Sequence, residues 1–392
     1  MKKEMQLYIH IPFCAKKCDY CDFLSFAAGK ETQKEYVEAL IKELNYYGER
    51  YQERVISTIF IGGGTPSFIE AELLEAVMKA VYQAFHVLPD AEISMECNPG
   101  TVTKEKLLAY KKAGVNRLSI GLQSPNDEEL KILGRIHTFE TFLQTYDMAR
   151  NCGFTNINVD LMSSLPGQTK QSFLNGLKKV VRLKPEHISA YSLIIEEGTP
   201  FYDKYEEDME RQAKGEETRF LPGEEEVYET ICLTREYLQE EGYHWYEISN
   251  FAKPGKECRH NIGYWKRADY LGVGLGAASL IDSVRYANTS DLQLYVKKWQ
   301  GQEPQEICIV EEEILTKMAQ IEEFMFLGLR MTEGVKRSDF KACFGIEPEG
   351  AYANVLSSLQ DEGLLKMEAG WIALTDKGID VSNYVLAQFL LA

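Results

Sequence analysis

Three cysteines near the start of the chain have the spacing to hold a metal centre: Cys14, Cys18 and Cys21. Gaps of three and two residues let one loop wrap all three thiolates around a single centre. A zinc site needs four ligands, and no cysteine or histidine follows closely, so His10 would have to fold back. A [4Fe–4S] cluster normally takes four thiolates, and three leave one iron open to a substrate or cofactor. The spacing therefore favours the cluster over zinc.

A glycine-rich segment, residues 62–66, follows the β-rich run 55–61 and reads Gly-Gly-Gly-Thr-Pro. Glycine has no Cβ and tolerates positive φ, so the backbone N–H groups of such a segment can approach a ligand closely. By itself the segment is compatible with a tight turn, or with a weak phosphate loop that lacks the P-loop lysine.

Strands and helices alternate along the first half of the chain. Apolar β-rich runs and stretches of helical period predict about six βα units between residues 5 and 195. The predicted strands are residues 6–13, 55–61, 91–97, 117–122, 156–162 and 187–193, and the predicted helices are 34–50, 71–85, 104–113, 139–152 and 171–183. This is fewer than the roughly eight units of a closed barrel, so we predict an α/β fold with a partial parallel (β/α)6 barrel.

Polar side chains gather where the predicted strands end. Glu96 closes the third strand, Gln123 follows the fourth, and Asp160 lies near the end of the fifth. Parallel α/β folds place their sites at the carboxyl ends of the strands. The pattern therefore predicts a site on one rim of the barrel.

Composition narrows the class of protein. The chain has 392 residues with 43 Lys and Arg against 60 Asp and Glu, a net charge of −17, which disfavours nucleic acid as a partner. Nine cysteines without secretory features make a disulfide framework improbable and favour metal or redox use. No apolar run is long enough to span a membrane, and the N-terminus lacks a signal peptide, so we expect a cytoplasmic protein.

Three domains are expected. Residues 1–235 would form the barrel, including an acidic, solvated helical excursion at 203–229. Residues 236–300 are rich in glycine, aromatics and short β runs and suggest a β-containing extension. Residues 301–392 are mainly helical with a hairpin pattern at their end, which is typical of a winged helix. The acidity of this last domain favours a packing or protein-contact role over DNA reading.

The cysteine pattern, with Tyr20 before its last cysteine, resembles the signature of the radical S-adenosylmethionine superfamily. Four motifs in order resemble the oxygen-independent coproporphyrinogen III oxidase family more closely. They are Tyr-Ile-His-Ile-Pro-Phe-Cys at 8–14, the glycine segment at 62–66, Gly-Leu-Gln-Ser at 121–124 and Asp-Leu-Met-Ser-Ser-Leu-Pro-Gly-Gln-Thr at 160–169. The resemblance implies that the open iron chelates S-adenosylmethionine, whose cleavage gives a 5′-deoxyadenosyl radical.

The same resemblance implies which residues contact S-adenosylmethionine. They are Tyr8, Tyr20, Gly63, Gly64, Thr65, Glu96, Gln123, Arg135 and Asp160. Carboxylates can accept hydrogen bonds from amino and ribose hydroxyl groups, and an arginine can pair with a carboxylate. For each residue taken alone, the competing interpretation is a satisfied structural polar group.

Two departures separate the chain from the oxidases. Phe23 stands where they have a further cysteine, and only seven residues precede Tyr8, whereas the oxidases have a long N-terminal extension. Residues 260–265, His-Asn-Ile-Gly-Tyr-Trp, match the H-N-x-x-Y-W motif of the haem chaperone (HemW-type) branch. His260 could ligate haem iron, or it is an ordinary histidine beside core aromatics.

These features favour a haem chaperone that binds haem and delivers it to apo-haemoproteins. Implied partners are the haem cargo, acceptors that include membrane respiratory proteins reached by transient contact at the membrane surface, and an electron donor. The runner-up is an enzyme, oxygen-independent coproporphyrinogen III oxidase, which forms vinyl groups by radical decarboxylation of propionates. A radical reaction on an unknown substrate is third.

Overall fold

The computed structural model of the protein describes residues 2–301 and 309–391. Its centre is a sheet in which six consecutive strands run parallel. They are β1 (Lys3–Ile11), β2 (Arg54–Gly63), β3 (His86–Cys97), β4 (Arg117–Gln123), β5 (Ile157–Ser163) and β6 (His187–Ser192). The connecting helices are α1 (Lys30–Arg50), α2 (Ala71–Ala84), α3 (Lys104–Lys112), α4 (Asp127–Ile132), α5 (Phe139–Asn151) and α6 (Lys170–Val181). The predicted partial α/β barrel is confirmed.

The strands have one apolar face and one polar face. Leu7, Ile9 and Ile11 of β1 are fully buried, as are alternate residues of the neighbouring strands such as Ile59 and Ile61. Side chains alternate between faces every residue, so these positions all lie on the side covered by helices. Complete burial of each such side chain contributes roughly 1.5–3 kcal/mol, which makes this face the main core. The opposite face is free to carry polar groups.

The predicted β-containing extension joins both edges of this sheet and does not form a sheet of its own. Helix α7 (Pro200–Ala213) and the first part of α8 (Glu224–Glu240) lie in the predicted acidic excursion at 203–229, and the expected boundary at residue 235 falls within α8. The further elements of the extension are β7 (His244–Glu247), β8 (Asn250–Ala252), α9 (Arg259–Trp265), β9 (Tyr270–Val273), β10 (Ala278–Ile281), β11 (Val284–Asn288) and α10 (Leu292–Gln300). Strand β9 pairs in parallel with residues 6–9 of β1, and β8 pairs antiparallel with residues 187–189 of β6, so the extension covers part of both edges of the parallel sheet.

A buried carboxyl group ties the extension to α1. Glu43 accepts hydrogen bonds from the Gly274 backbone N–H at 2.8 Å, from Asn288 Nδ2 at 2.6 Å and from the Tyr295 hydroxyl at 2.5 Å. Complete burial raises its pKa to about 7. Three donors from three separate segments on one acceptor fix the extension against the barrel helices.

The C-terminal part has the order of a winged helix. After β12 (Ile309–Ile314), which pairs with β11, come α11 (Lys317–Gly328), β13 (Val335–Lys336), α12 (Arg337–Phe344), α13 (Glu349–Asp361), β14 (Leu365–Glu368), β15 (Trp371–Leu374), α14 (Asp376–Asp380) and α15 (Ser382–Ala387). Strands β13, β15 and β14 form a three-stranded sheet. An ion pair between Arg267 and Glu323, at 2.7 Å, attaches this part to the extension. The expected boundary at residue 301 adjoins residues 302–308, which lie outside the described part.

The sequence analysis predicted all six parallel strands and the five long helices between them, and the observed ends differ from the predicted ones by a few residues. The clearest differences are α1, which begins at Lys30 and not at residue 34, and the six-residue helix α4, which the sequence analysis did not anticipate. Within the described residues, no helix combines the length and apolar character needed to cross a membrane.

Candidate cofactor-binding site

A cavity of about 480 Å³ opens at the carboxyl ends of the parallel strands. All three motif cysteines line it, together with residues from the ends of β2 to β6 and from β8 and α9. Of the residues implied for S-adenosylmethionine, the lining contains Tyr20, Gly63, Gly64, Thr65, Glu96, Gln123, Arg135 and Asp160. Segments separated by more than 100 positions in sequence therefore meet on one rim, as the strand-end pattern predicted.

The cysteine loop is held against the glycine segment and the loop after α4. The Cys14 backbone N–H donates to the Phe26 carbonyl at 3.0 Å, and Cys14 Sγ lies 3.3 Å from Thr65 Oγ1. On the other side, Arg135 Nη1 donates to Cys18 Sγ at 3.4 Å. This contact ties the loop after α4 to the cysteine loop at one of its sulfur atoms.

The three thiols fit an iron–sulfur cluster better than a single ion. In the described part of the chain, no three Cys, His, Asp or Glu side chains converge closely enough to hold one metal ion. A [4Fe–4S] cluster does not need such convergence, because each thiolate binds its own iron. Cys97 also lines the cavity, but it is 2% exposed and burial raises its pKa to about 12, so it remains a thiol. Cys14, Cys18 and Cys21 are therefore the fitting ligand set.

Glycine is required at the turn after β2. Gly63 has φ +109°, and a Cβ at this position would lie 2.3 Å from the His10 ring. A Cβ on Gly64 would lie 2.9 Å from the Ile11 carbonyl oxygen. The tight turn aims the Gly63 N–H at Glu96, whose Oε2 accepts from it at 3.0 Å.

Two carboxyl groups face the cavity from β3 and β5. Burial, together with the charge of Asp160, raises the pKa of Glu96 from its ordinary value of 4.5 to about 7. Burial also raises the pKa of Asp160, although Asn158 Nδ2 donates to its Oδ1 at 2.6 Å. Burial disfavours the charged forms of both carboxyl groups, and the charge of Asp160 further disfavours that of Glu96. The pair is therefore suited to a ligand that brings positive charge or hydrogen-bond donors.

Gln123 and Arg135 are held in defined positions beside these acids. Gln123 has φ +70°, an uncommon conformation for a residue other than glycine, and its Oε1 accepts from the Tyr191 hydroxyl at 2.9 Å. Arg135 Nη2 donates to Asn98 Oδ1 at 3.0 Å and to the Gly121 carbonyl. Strain of this kind concentrates at functional sites, where the surroundings enforce it.

Tyr8 does not line the cavity. Its hydroxyl is hydrogen-bonded to His10 Nδ1 at 3.0 Å, and its ring stacks on Phe60 with centroids 6.4 Å apart. Phe60 does line the cavity, so Tyr8 lies behind it. In this geometry Tyr8 supports the cavity wall through Phe60, and its direct contact with S-adenosylmethionine stays a prediction.

His260 is enclosed beneath the cavity. It is 1% exposed, its Nδ1 is hydrogen-bonded to Thr58 Oγ1 at 2.8 Å and its Nε2 to the Tyr264 hydroxyl at 3.0 Å. Burial and the charge of Arg117 lower its pKa to about 3, so the ring is neutral. Neither nitrogen is open to a haem iron in this arrangement. The geometry supports the alternative interpretation, a histidine held among core aromatics.

The sequence analysis missed the deeper polar lining of the cavity. It includes Arg117, Ser119, Asn158, Ser189 and Asn261. The first four stand at alternate positions on β4, β5 and β6, on the same face as the strand-end residues. Their period-2 alternation with apolar residues was present in the sequence and could have identified them.

Two protein-family profiles match parts of this chain. The sequence profile of the Radical SAM superfamily matches residues 8–180, and that of the HemN C-terminal domain matches residues 315–381. The first match contains the three cysteines and the strand-end residues of the cavity. The second lies within the predicted C-terminal domain.

Curated relatives match over the whole chain. A protein of Lactococcus lactis named "Heme chaperone HemW" is 35% identical over all of this chain and 98% of its own length. A protein of the same name from Bacillus subtilis is 36% identical over 98% of both chains. Among solved structures, Escherichia coli coproporphyrinogen III oxidase (HemN) superposes with a TM-score of 0.85, at 24% identity, over 99% of this chain and 90% of its own. That likeness shows the fold.

Proposed function

Since the chain belongs to the HemW family of radical S-adenosylmethionine proteins, we propose that it is a haem chaperone, which binds haem and delivers it to apo-haemoproteins. The observation that carries the proposal is the full-length similarity to curated haem chaperones at 35% and 36% identity. The cysteine-lined cavity adds support, because it contains the three cysteines and eight of the nine residues implied for S-adenosylmethionine.

The cofactor assignments follow from the cavity. Cys14, Cys18 and Cys21 would hold the [4Fe–4S] cluster. S-adenosylmethionine would be held by the Gly63–Gly64 turn and by polar side chains that converge from separate strands. These are Glu96, Gln123, Arg135 and Asp160. Bound together, the two cofactors supply one-electron chemistry at the sulfonium.

In this proposal, four side chains of the cavity bind and orient the two cofactors. Arg135, next to the Cys18 sulfur, would compensate thiolate charge and pair with a carboxylate. Glu96 and Asp160 would accept hydrogen bonds from ammonium and hydroxyl groups. Gln123 would offer its amide from a fixed backbone position. The proposal also includes an electron donor and acceptor apo-haemoproteins, some of them reached by transient contact at the membrane surface. The C-terminal domain would make the contact with these partner proteins.

Phe23 is the structural feature that favours the chaperone over the oxidase. It is 70% exposed and lies on the lining of the cavity mouth, at the position where the oxidases have a further cysteine. An apolar side chain at this place suits contact with a flat apolar cargo better than it suits a metal.

Haem binding without oxidase activity is the expected result for the purified protein. Titration with haem should shift the Soret band and saturate. Anaerobic incubation of cluster-loaded protein with coproporphyrinogen III, reductant and S-adenosylmethionine should yield no protoporphyrinogen IX. A His260→Ala variant that still folds should keep the wild-type Soret position, because the ring is enclosed. Decarboxylation of coproporphyrinogen III would restore the oxidase as the function, and no Soret shift would reject the chaperone.

The affinity for S-adenosylmethionine should rise with pH around neutrality. Glu96 has a pKa of about 7, so it loses its proton and becomes an acceptor between about pH 6 and pH 8. Well below pH 6 the affinity should fall by up to about tenfold per pH unit. Equilibrium dialysis of labelled S-adenosylmethionine across this range checks the result. Glu96→Gln should bind more weakly with a flatter profile, and an unchanged profile would contradict the assignment.

The free energy of unfolding of the ligand-free protein should fall as pH rises around neutrality, the opposite direction to the affinity for S-adenosylmethionine. A carboxyl group whose folded-state pKa is raised binds more protons folded than unfolded, between its ordinary value of 4.5 and about 7. Glu96 therefore reduces stability as pH rises through this window. Thermal unfolding of wild type and Glu96→Gln side by side separates this contribution from those of other groups.

A further inference from the structure

A polar floor lies beneath the residues assigned to the cofactors. Arg117 stands two residues before Ser119 on β4, which places it about 7 Å deeper in the barrel. It is the first residue of the strand, it is 2% exposed, and it lines the cavity. Neither the superfamily signature nor the strand-end pattern includes it.

The guanidinium of Arg117 has few partners in the protein. Its one hydrogen bond within the described residues is a long one, from Nη1 to Ser94 Oγ at 3.4 Å. Its Nε is buried without any acceptor. No carboxylate oxygen of the described residues lies within 4.0 Å of it, whereas Arg54, Arg150 and Arg235 each have such a partner. Buried arginines are normally paired, since an unpaired buried charge is costly.

The two carboxylates near Arg117 are used elsewhere. Glu92 accepts from the backbone N–H groups of Arg259 and His260, at 3.1 and 3.3 Å. Asp160 accepts from Asn158 at 2.6 Å and more weakly from Ser119. Glu92 and Asp160 interact with Arg117 electrostatically at a distance, but neither accepts a hydrogen bond from its guanidinium group.

Asn261 lines the same cavity from α9, next to Cys258 and His260, and the charge of Arg117 acts to lower the pKa values of these two groups beside the larger effect of burial. Its neighbour His260 is fixed to Thr58 on β2. Glu92 holds the first turn of α9 against β3. A side-chain amide can donate an N–H, so Asn261 offers a second donor to a ligand in the cavity that Arg117 lines.

We infer that Arg117 and Asn261 form a second subsite at the floor of the cavity that binds a carboxylate of a bound ligand. An arginine edge and a carboxylate make paired, charge-assisted hydrogen bonds, which is the partner that the buried guanidinium lacks. Two sources have this chemistry: a propionate of haem, and the α-carboxylate of S-adenosylmethionine, which Arg117 would then hold in place of Arg135. The inference rests on the proposed function only for the choice of these two probes.

The test compares Arg117→Gln with wild type in three titrations: haem, haem dimethyl ester, and S-adenosylmethionine with the cluster-loaded protein. If a propionate occupies the subsite, wild type binds haem more tightly than the ester by about tenfold or more, and Arg117→Gln abolishes the difference. If S-adenosylmethionine occupies it, Arg117→Gln weakens that ligand by a similar factor and leaves haem unchanged. Arg117→Lys should restore part of either effect, because it keeps the charge.

Arg150→Gln is the matched control. Arg150 is paired with Glu186 outside the cavity, so its loss should lower the melting temperature and leave all three affinities unchanged. Should Arg117→Gln fail to fold, Asn261→Leu on the separate element α9 decides by the same titrations. Unchanged affinities for haem and S-adenosylmethionine in the folded variants overturn the subsite alone. Wild-type protein that binds neither ligand overturns both the subsite and the proposed function.

Discussion

Replacing Cys14, Cys18 or Cys21 singly with alanine should remove the iron–sulfur cluster. After anaerobic reconstitution, wild type should carry about four irons and four sulfides per chain, and each variant should fall to background. The reason lies in the ligand set, because the one further cysteine that lines the cavity in the described part of the chain, Cys97, is buried as a thiol and cannot substitute. Iron and acid-labile sulfide analysis gives the result directly.

Cys343→Ala serves as the control for cysteine removal. Cys343 is exposed in the C-terminal domain and does not line the cavity, so this variant should reconstitute like wild type. Stoichiometric zinc without sulfide in wild type would replace the cluster by the alternative zinc site. A full sulfide content in a Cys18→Ala protein would remove that residue from the ligand set.

A Glu96→Ala/Asp160→Ala protein should lose at least about two orders of magnitude in affinity for S-adenosylmethionine. Each hydrogen bond to a charged group is worth about 1.5–3 kcal/mol, so the loss of two such bonds should cost about 3 kcal/mol. Because Glu96 and Asp160 interact electrostatically, the double variant measures their joint contribution. The folded protein should tolerate the change, since burial disfavours both carboxylates in the absence of ligand. Equilibrium dialysis with the cluster-loaded protein measures the affinity.

The matched double variant is Glu140→Ala/Asp147→Ala, which removes the same two residue types from the exposed face of α5. It should bind S-adenosylmethionine like wild type. If the cavity variant also retained its affinity, the assignment of Glu96 and Asp160 would be rejected, whereas the cluster assignment would stand.

The H-N-x-x-Y-W motif acquires a different meaning in the folded chain. His260 is bonded to Thr58 and Tyr264, Asn261 faces the cavity, and Arg330 of the C-terminal part lies 4.5 Å above the Trp265 ring. The short helix therefore joins the barrel floor to the C-terminal domain. This placement supports a role in positioning, and it explains how a motif with a histidine and aromatics can suggest haem ligation without offering a free ring nitrogen.

The sequence alone determined the features that depend on interactions between residues close together along the chain. The Cys14–Cys18–Cys21 spacing is a property of one loop, and the run of glycines at residues 62–64 indicates a close turn after a strand. Alternation of strands and helices follows from local hydrophobic period, and parallel strands necessarily bring Glu96, Gln123 and Asp160 to one rim. The amino-acid sequence suffices for these features because each depends on neighbours a few residues apart.

Only the tertiary structure decided what each polar group faces. Nothing local distinguishes Tyr8, which stands behind Phe60, from Tyr20, which lines the cavity. The enclosure of His260 depends on Thr58, about 200 positions earlier, and the lack of partners at Arg117 depends on how Glu92 is used by α9. Burial and hydrogen-bond satisfaction are sums over contacts between distant segments, so they exist only once the sheet, the extension and α9 have come together.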